Sequence, residues 1–244
     1  MALTAALVMV IAGGAARVQA AVTVNRIVFT GTVGQDRIGM VLQIDASDKI
    51  AGGHFFYVKD LKDIPLQAGT QGTGMILYGP DGGQFALRFK GNGSEGSKPL
   101  GFNNSVGLDG RWMKGASSYP VTLRMEFAKQ VMPNSRWYED VTSESDPAFE
   151  AKVQNFYSAV LKGDKAAAAG FVDFPLQVNA SGKSTRIASA AQLLTQWEQI
   201  FTPACLDAFR NAMPHDMFVR NGQAMLGDGV AWFGAKGVQT INVP

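Results

Sequence analysis

Cys205, His215 and Asp216 are the residues whose types could do chemistry together, as nucleophile, base and orienting acid. The spacing argues against that use. Cys205 lies in Pro203-Ala-Cys-Leu-Asp-Ala-Phe209, a segment that reads as a largely apolar helix. No basic neighbour in sequence would lower the pKa of its thiol. A lone cysteine in such a setting is a small buried hydrophobe. The chain has two histidines, His54 and His215, and they fall in different expected domains. On a strand, His215 and its neighbour Asp216 would point to opposite faces. The sequence therefore predicts no catalytic residue, no metal site and no cofactor. Other acids have local explanations. Asp207 stands one turn from Arg210, as an ion pair would. Asp228 suits a turn, and Asp216 could cap the start of a strand. Asp173 and Tyr157 remain as an acid and a donor without a constellation.

The glycine-rich stretch RNGQAMLGDGVAWF, Arg220 to Phe233, raises a second kind of chemistry. A phosphate loop needs a strand before its glycines and a helix after them, because the helix N-terminus supplies amides and field. Here the glycines are followed by Val230-Ala-Trp-Phe233, which is strand-prone. Asn221-Gly222 is a tight-turn pair, and Gly227-Asp228-Gly229 joins two short apolar runs. The stretch reads as a three-strand meander with two turns.

The elements that must carry these residues change period along the chain. From Val22 to about Lys129, short strands alternate with glycine, aspartate and asparagine turns. They are Arg26–Val33, Arg37–Ile44, Lys49–Val58, Ile64–Ala68, Thr73–Tyr78, Gln84–Lys90, Gly107–Met113 and Val121–Phe127. Eight short strands with no helix-period interruption predict an antiparallel β-barrel over residues 21–129. Residues 130–145, with Met132-Pro-Asn-Ser135 and an acidic run, read as a linker. In that linker Trp137-Tyr138 is placed to pin the two domains together. From 146 to 244 the pattern is α+β. Asp146 caps a helix with Pro147 behind it, and Phe149, Val153, Phe156 and Val160 form its inner face. Gly163 stops that helix, and Asp164 caps a short second one. Two strands come next. Ser189 then starts a helix with Leu193, Leu194, Trp197, Ile200 and Phe201 inside. Thr202-Pro203 opens another, and strands run to the end. Tryptophans 112, 137, 197 and 232 and Tyr138 suit a core more than a ligand platform.

Composition bounds the partners. Hydrophobic residues make up 46% and charged residues 17% of 244, with a formal charge of +2. So small a charge, with no basic run, excludes an electrostatic case for nucleic acid. Leu3 to Ala16 is apolar and short for a bilayer span. Val18-Gln19-Ala20 supplies small residues before a cleavage point. Residues 1–20 thus predict a signal peptide cut before Ala21, with no membrane span in the mature chain and a periplasmic or secreted protein. One cysteine leaves no internal disulfide.

Residues Asn155-Phe-Tyr-Ser-Ala159 with Gly163-Asp164, Phe174-Pro-Leu176, Trp197 to Phe201 and Phe218 to Phe233 resemble the NTF2-like superfamily, in its exported bacterial members. Met225-Leu-Gly-x-Gly-x-x-Trp232 is the part most like them. The resemblance implies a bent antiparallel sheet wrapped by helices around a cone-shaped cavity, lined here by Tyr157, Trp197, Asp216, Phe218, Met225 and Trp232, and a homodimer through the sheet. Thr30 to Gly34, Gly52-Gly53 with Phe56-Tyr57, and Leu108 to Trp112 give the first half a weaker resemblance to exported avidin- or lipocalin-like barrels. Together these lead to an exported, non-catalytic two-domain protein that binds an envelope protein or a small ligand, as an accessory of the cell envelope. The rivals are an immunity or inhibitor protein against a periplasmic toxin or hydrolase, and an NTF2-like enzyme acting on a small apolar substrate.

Overall fold

The structure is a computed structural model that describes residues 23–69, 74–94, 96 and 98–244. The expected signal peptide lies outside these residues. Eight antiparallel strands close into a barrel in chain order: β1 (Val24–Val33), β2 (Asp36–Ile44), β3 (Ile50–Tyr57), β4 (Ile64–Ala68), β5 (Met75–Tyr78), β6 (Gln84–Lys90), β7 (Gly107–Lys114) and β8 (Ser117–Val131). Strand alternation sends Phe29, Met40, Leu42, Phe55, Phe85 and Leu108 inward, each almost wholly buried. Eight strands leave an interior that side chains fill, and here they fill it.

Part of the outer wall of β1, β2 and β3 is also buried. Val28, Val41 and Phe56 alternate with the inward residues, yet Val41 and Phe56 are each only 1% exposed. The Phe56 ring lies over Gly39, where an added Cβ would come within 2.2 Å of the ring. Glycine here is a matter of space: a side chain would displace Phe56. The second domain covers this wall. Phe56 meets the His215 ring edge-on at 4.4 Å, and Phe127 of β8 meets Phe218 at 5.1 Å. Arg37 donates to the carbonyls of Arg210 and Asn211. This explains why Ile38-Gly-Met-Val-Leu42 reads as a continuous apolar run, the pattern of a strand buried on both faces.

Residues 132–145 contain no helix or strand, but they are anchored. Tyr138 is fully buried in the second core. The Trp137 indole N–H donates to the Met217 carbonyl at 2.8 Å, and the Arg26 guanidinium of the barrel sits over its ring.

The second domain is a six-stranded curled sheet, ordered β10-β9-β14-β13-β12-β11, with five helices. Its strands are β9 (Val172–Ala180), β10 (Lys183–Ile187), β11 (Phe218–Arg220), β12 (Gln223–Leu226), β13 (Ala231–Gly234) and β14 (Gly237–Val243). The sheet is mixed and not wholly antiparallel as expected, because β9 and β14 pair in parallel while the other neighbours are antiparallel. The helices are α1 (Asp146–Lys162), α2 (Lys165–Ala169), α3 (Ala190–Thr195), α4 (Trp197–Ile200) and α5 (Pro203–Asn211). Phe149, Val153, Phe156 and Val160 form the buried stripe of α1, and Gly163 ends it in the left-handed conformation. The whole chain is α+β.

Two local expectations change. Ser145, not Asp146, is the N-cap of α1. The Asp146 carboxylate instead accepts the backbone N–H groups of Trp137 and Tyr138, at 2.6 and 3.1 Å. The helix expected after Ser189 is broken at Gln196 into α3 and α4. The break leaves Leu194 exposed while Leu193, Trp197, Ile200 and Phe201 stay in the core.

Candidate functional site

The principal cluster of ionisable groups lies where the two domains meet. His54 projects from the outer wall of β3, between Gly53 and the inward Phe55. Asp63 stands just before β4. His215 and Asp216 lie between α5 and β11. Asp216 takes a left-handed backbone, φ 48°, uncommon outside glycine but tolerated by aspartate. That turn corrects the expectation that adjacent residues 215 and 216 point apart. They are not on a strand, and both side chains enter one cluster. The expected separation of the two histidines fails for a related reason: each sits on the face of its domain that docks on the other.

The geometry is tight. His54 Nε2 lies 2.7 Å from Asp216 Oδ2 and 3.4 Å from Asp63 Oδ1. His215 Nε2 lies 2.9 Å from Asp63 Oδ1 and 3.8 Å from Asp216 Oδ2. On its other side, His215 Nδ1 donates to Glu150 Oε2 at 2.5 Å. Glu150 belongs to α1, and its second oxygen accepts from the Tyr138 hydroxyl and the Asp216 amide, at 2.7 and 3.1 Å. The Tyr138 oxygen in turn accepts the Met217 N–H at 3.0 Å. Burial, then the charge of Glu150, keeps the Tyr138 phenol protonated, with its pKa well above the ordinary value. Burial alone would lower the pKa of His215, but hydrogen bonds to Asp63 and Glu150 outweigh it and push it up to about 10. His54 obeys the same logic: burial opposes its charge, the Asp216 carboxylate prevails, and the pKa rises. Asp63, partly desolvated, is held below the ordinary range by the two imidazoles. Asp63 alone of the six ionisable groups is half exposed, so the cluster is reached from solvent on that side.

Cys205 is fully buried, and burial pushes its thiol up to about 11. A thiol so disposed is neither nucleophile nor ligand. Of the residues proposed from sequence as a cone lining, Phe218, Met225 and Trp232 come together on one sheet face, and Tyr157, Trp197 and Asp216 lie elsewhere. Trp197 is in the second core, tilted against Phe201 at 4.0 Å, and Tyr157 is half buried beside Phe209. Met225 and Trp232 are cross-strand partners, and Phe218 pairs with Met225. These three alternate with Ala224, Leu226, Ala231 and Phe233, which face the core, so they lie on the opposite face of the sheet. Asp216 is in the junction cluster. Asn221 and Gly222 adopt the positive φ of a tight turn, so the glycine-rich stretch is a meander.

A second feature lies at one end of the barrel, among described residues of the β2–β3 and β6–β7 connections and the facing ends of β4 and β5. An open cavity of about 940 Å³ is lined there by Ile50, Met75, Ile76, Phe89, Phe102 and neighbours, with Lys49 and Asn104 among the polar groups. Phe102, from the β6–β7 connection, packs edge-on against Phe89 at 4.8 Å. Nothing in the sequence marked this lining, because its residues come from the ends of β3, β5 and β6 and from separate connections. Asp63 and Glu150 were missed likewise, His54 was weighed and set aside, and Tyr138 was expected only to pin the two domains together.

No known family model matches the chain, and neither a curated protein nor a solved structure is detectably similar to it.

Proposed function

We propose that this is an exported, non-catalytic two-domain binding protein of the cell envelope, and that it holds a small amphipathic molecule at the open end of its barrel. The observation that carries the reading is the apolar cavity there. Its volume of about 940 Å³ suits a small-molecule site of roughly 300–1,000 Å³. The interior of the barrel is filled by its own side chains, which leaves the mouth as the place for a ligand. The apolar body would lie against Ile50, Met75, Phe89 and Phe102, with a polar or anionic end toward Lys49. The curled sheet with its helices supports the NTF2-like reading of the second half, which would act as the accessory module. Residues 1–20 support export.

A fluorescent fatty-acid analogue titrated into the full mature chain tests the ligand site. Saturable one-to-one binding is expected, with Phe102→Ala and Met75→Asp each weakening it about tenfold or more, equivalent to about 1.4 kcal/mol. Trp232→Ala, on the other domain, should leave it unchanged. Absence of saturable binding, or equal affinity in all four proteins, would remove the reading. Intact-mass measurement of the exported protein should find Ala21 first; Met1 retained on a cytoplasmic protein would refute export.

A further inference from the structure

We propose that His54, Asp63, His215 and Asp216 form a binding site for one divalent transition-metal ion, Zn²⁺ by the chemistry of the donors, which ties the barrel to the second domain. The site is independent of the ligand reading above.

The donor set is two imidazole nitrogens and two carboxylate oxygens, all within 4.8 Å of one another. Nitrogen and oxygen donors in a four-coordinate arrangement suit Zn²⁺ more than Ca²⁺ or Mg²⁺, which take six or more oxygens. Bonds of about 2.0–2.2 Å to a tetrahedral ion put neighbouring donors about 3.3–3.6 Å apart. The four close separations, 2.7, 2.9, 3.4 and 3.8 Å, bracket that span. The other two separations, between the two imidazole nitrogens and between the two carboxylate oxygens, are no more than 4.8 Å. Both histidines of the chain are here, and both present Nε2.

The surroundings are built as such sites are. A ligating histidine usually gives its other ring nitrogen to a carboxylate, which fixes the ring and raises its basicity. His215 Nδ1 does this with Glu150, and Glu150 is itself fixed by Tyr138 and the Asp216 amide. His215 and Asp216 are buried, while Asp63 is half exposed and gives an ion a way in. A cluster of ion pairs alone would account for the short contacts. Each domain contributes two donors, so an ion bound only by the docked form must stabilise docking.

Calorimetric titration of Zn²⁺ into the untagged full chain, freed of metal by a chelator, tests the site. One saturable equivalent is expected, and Mg²⁺ should not compete. Asp63→Asn, at a half-exposed position that should fold normally, and His54→Ala should each weaken Zn²⁺ binding about tenfold or more. Glu150→Gln should weaken it roughly 10–100-fold, acting through His215. Zn²⁺ should raise the melting temperature of the native chain and fail to raise that of His54→Ala. Circular dichroism confirms that each variant is folded. Co²⁺ in place of Zn²⁺ should show the strong visible absorption of a tetrahedral centre, lost in Asp63→Asn. No saturable equivalent in the native chain, or the same affinity in the native chain and all three variants, overturns the proposal and leaves an ion-pair cluster.

Discussion

Replacing Phe56 by alanine should loosen the docking of the two domains while sparing the barrel. Phe56 points out of the barrel, is 1% exposed, and is clasped between Gly39 and the His215 ring. Burying such a side chain is worth about 1.5–3 kcal/mol, and the edge-on ring pair adds about 0.5–1.5 kcal/mol. The sum agrees with the usual Phe→Ala loss of about 3–5 kcal/mol. We expect about 3–4 kcal/mol, a large part of a total stability of roughly 5–15 kcal/mol. For a chain of this size that is a fall in melting temperature of about 6–16 °C. Location is the sharper readout. In Phe56→Ala, hydrogen exchange should speed at the amides of Asp216 and Met217, which are bonded to Glu150 and Tyr138. The inward strand amides around Leu42 and Leu108 should keep their protection. Phe55→Ala is the control, because Phe55 points inward against Phe85 at 4.9 Å and should cost as much while unprotecting the barrel instead. A loss below about 1 kcal/mol for Phe56→Ala, against the usual ~3–5, would refute the reasoning. So would equal loss of protection in barrel and junction.

Neighbouring residues with different surroundings should respond differently. Phe233→Ala should cost about 3–5 kcal/mol because Phe233 is fully buried against Phe156, whereas Trp232→Ala, on the opposite face and only partly buried, should cost clearly less; chemical denaturation of the two variants compares them. Asp146→Ala should cost about 1–3 kcal/mol, since two backbone N–H groups lose their acceptor; an Asn variant should recover part of that. The Cys205 thiol rises from an ordinary 9.0 to about 11, so the folded state keeps a proton that the unfolded state loses. Its contribution is complete below pH 9 and is lost as pH rises toward 11, up to about 3 kcal/mol at 1.36 kcal/mol per unit; Cys205→Ala should remove that part of the slope, seen as the difference between the two stability profiles.

The barrel was legible because every strand ends in turn chemistry that acts locally. Asp45-Ala-Ser-Asp48, Pro80-Asp-Gly-Gly83 and Lys114-Gly-Ala-Ser-Ser118 each punctuate an apolar run, and six of the eight strands lie within two residues of their expected bounds at both ends. The exceptions are β8, four residues longer than expected at each end, and β5, whose expected start at Thr73 lies outside the described residues. The helices were legible for the same reason, since Thr202, Ser189 and Asp164 cap α5, α3 and α2. The illegible part was non-local. Nothing in Val172–Ala180 says that it pairs in parallel with the last strand. Nothing near His54 says that residue 215 will face it, because that meeting depends on how two folded surfaces dock. Val41 and Phe56 did carry a trace of docking, as apolar residues on a wall that a solitary barrel would leave wet.

The account rests most on a ligand at the barrel mouth, and native mass spectrometry of the protein isolated from its own cells tests it directly. A small-molecule adduct is predicted on the native chain and not on Met75→Asp, whose new charge would sit against Ile50 and Phe89. A bare native chain, or the same adduct on both proteins, would contradict it.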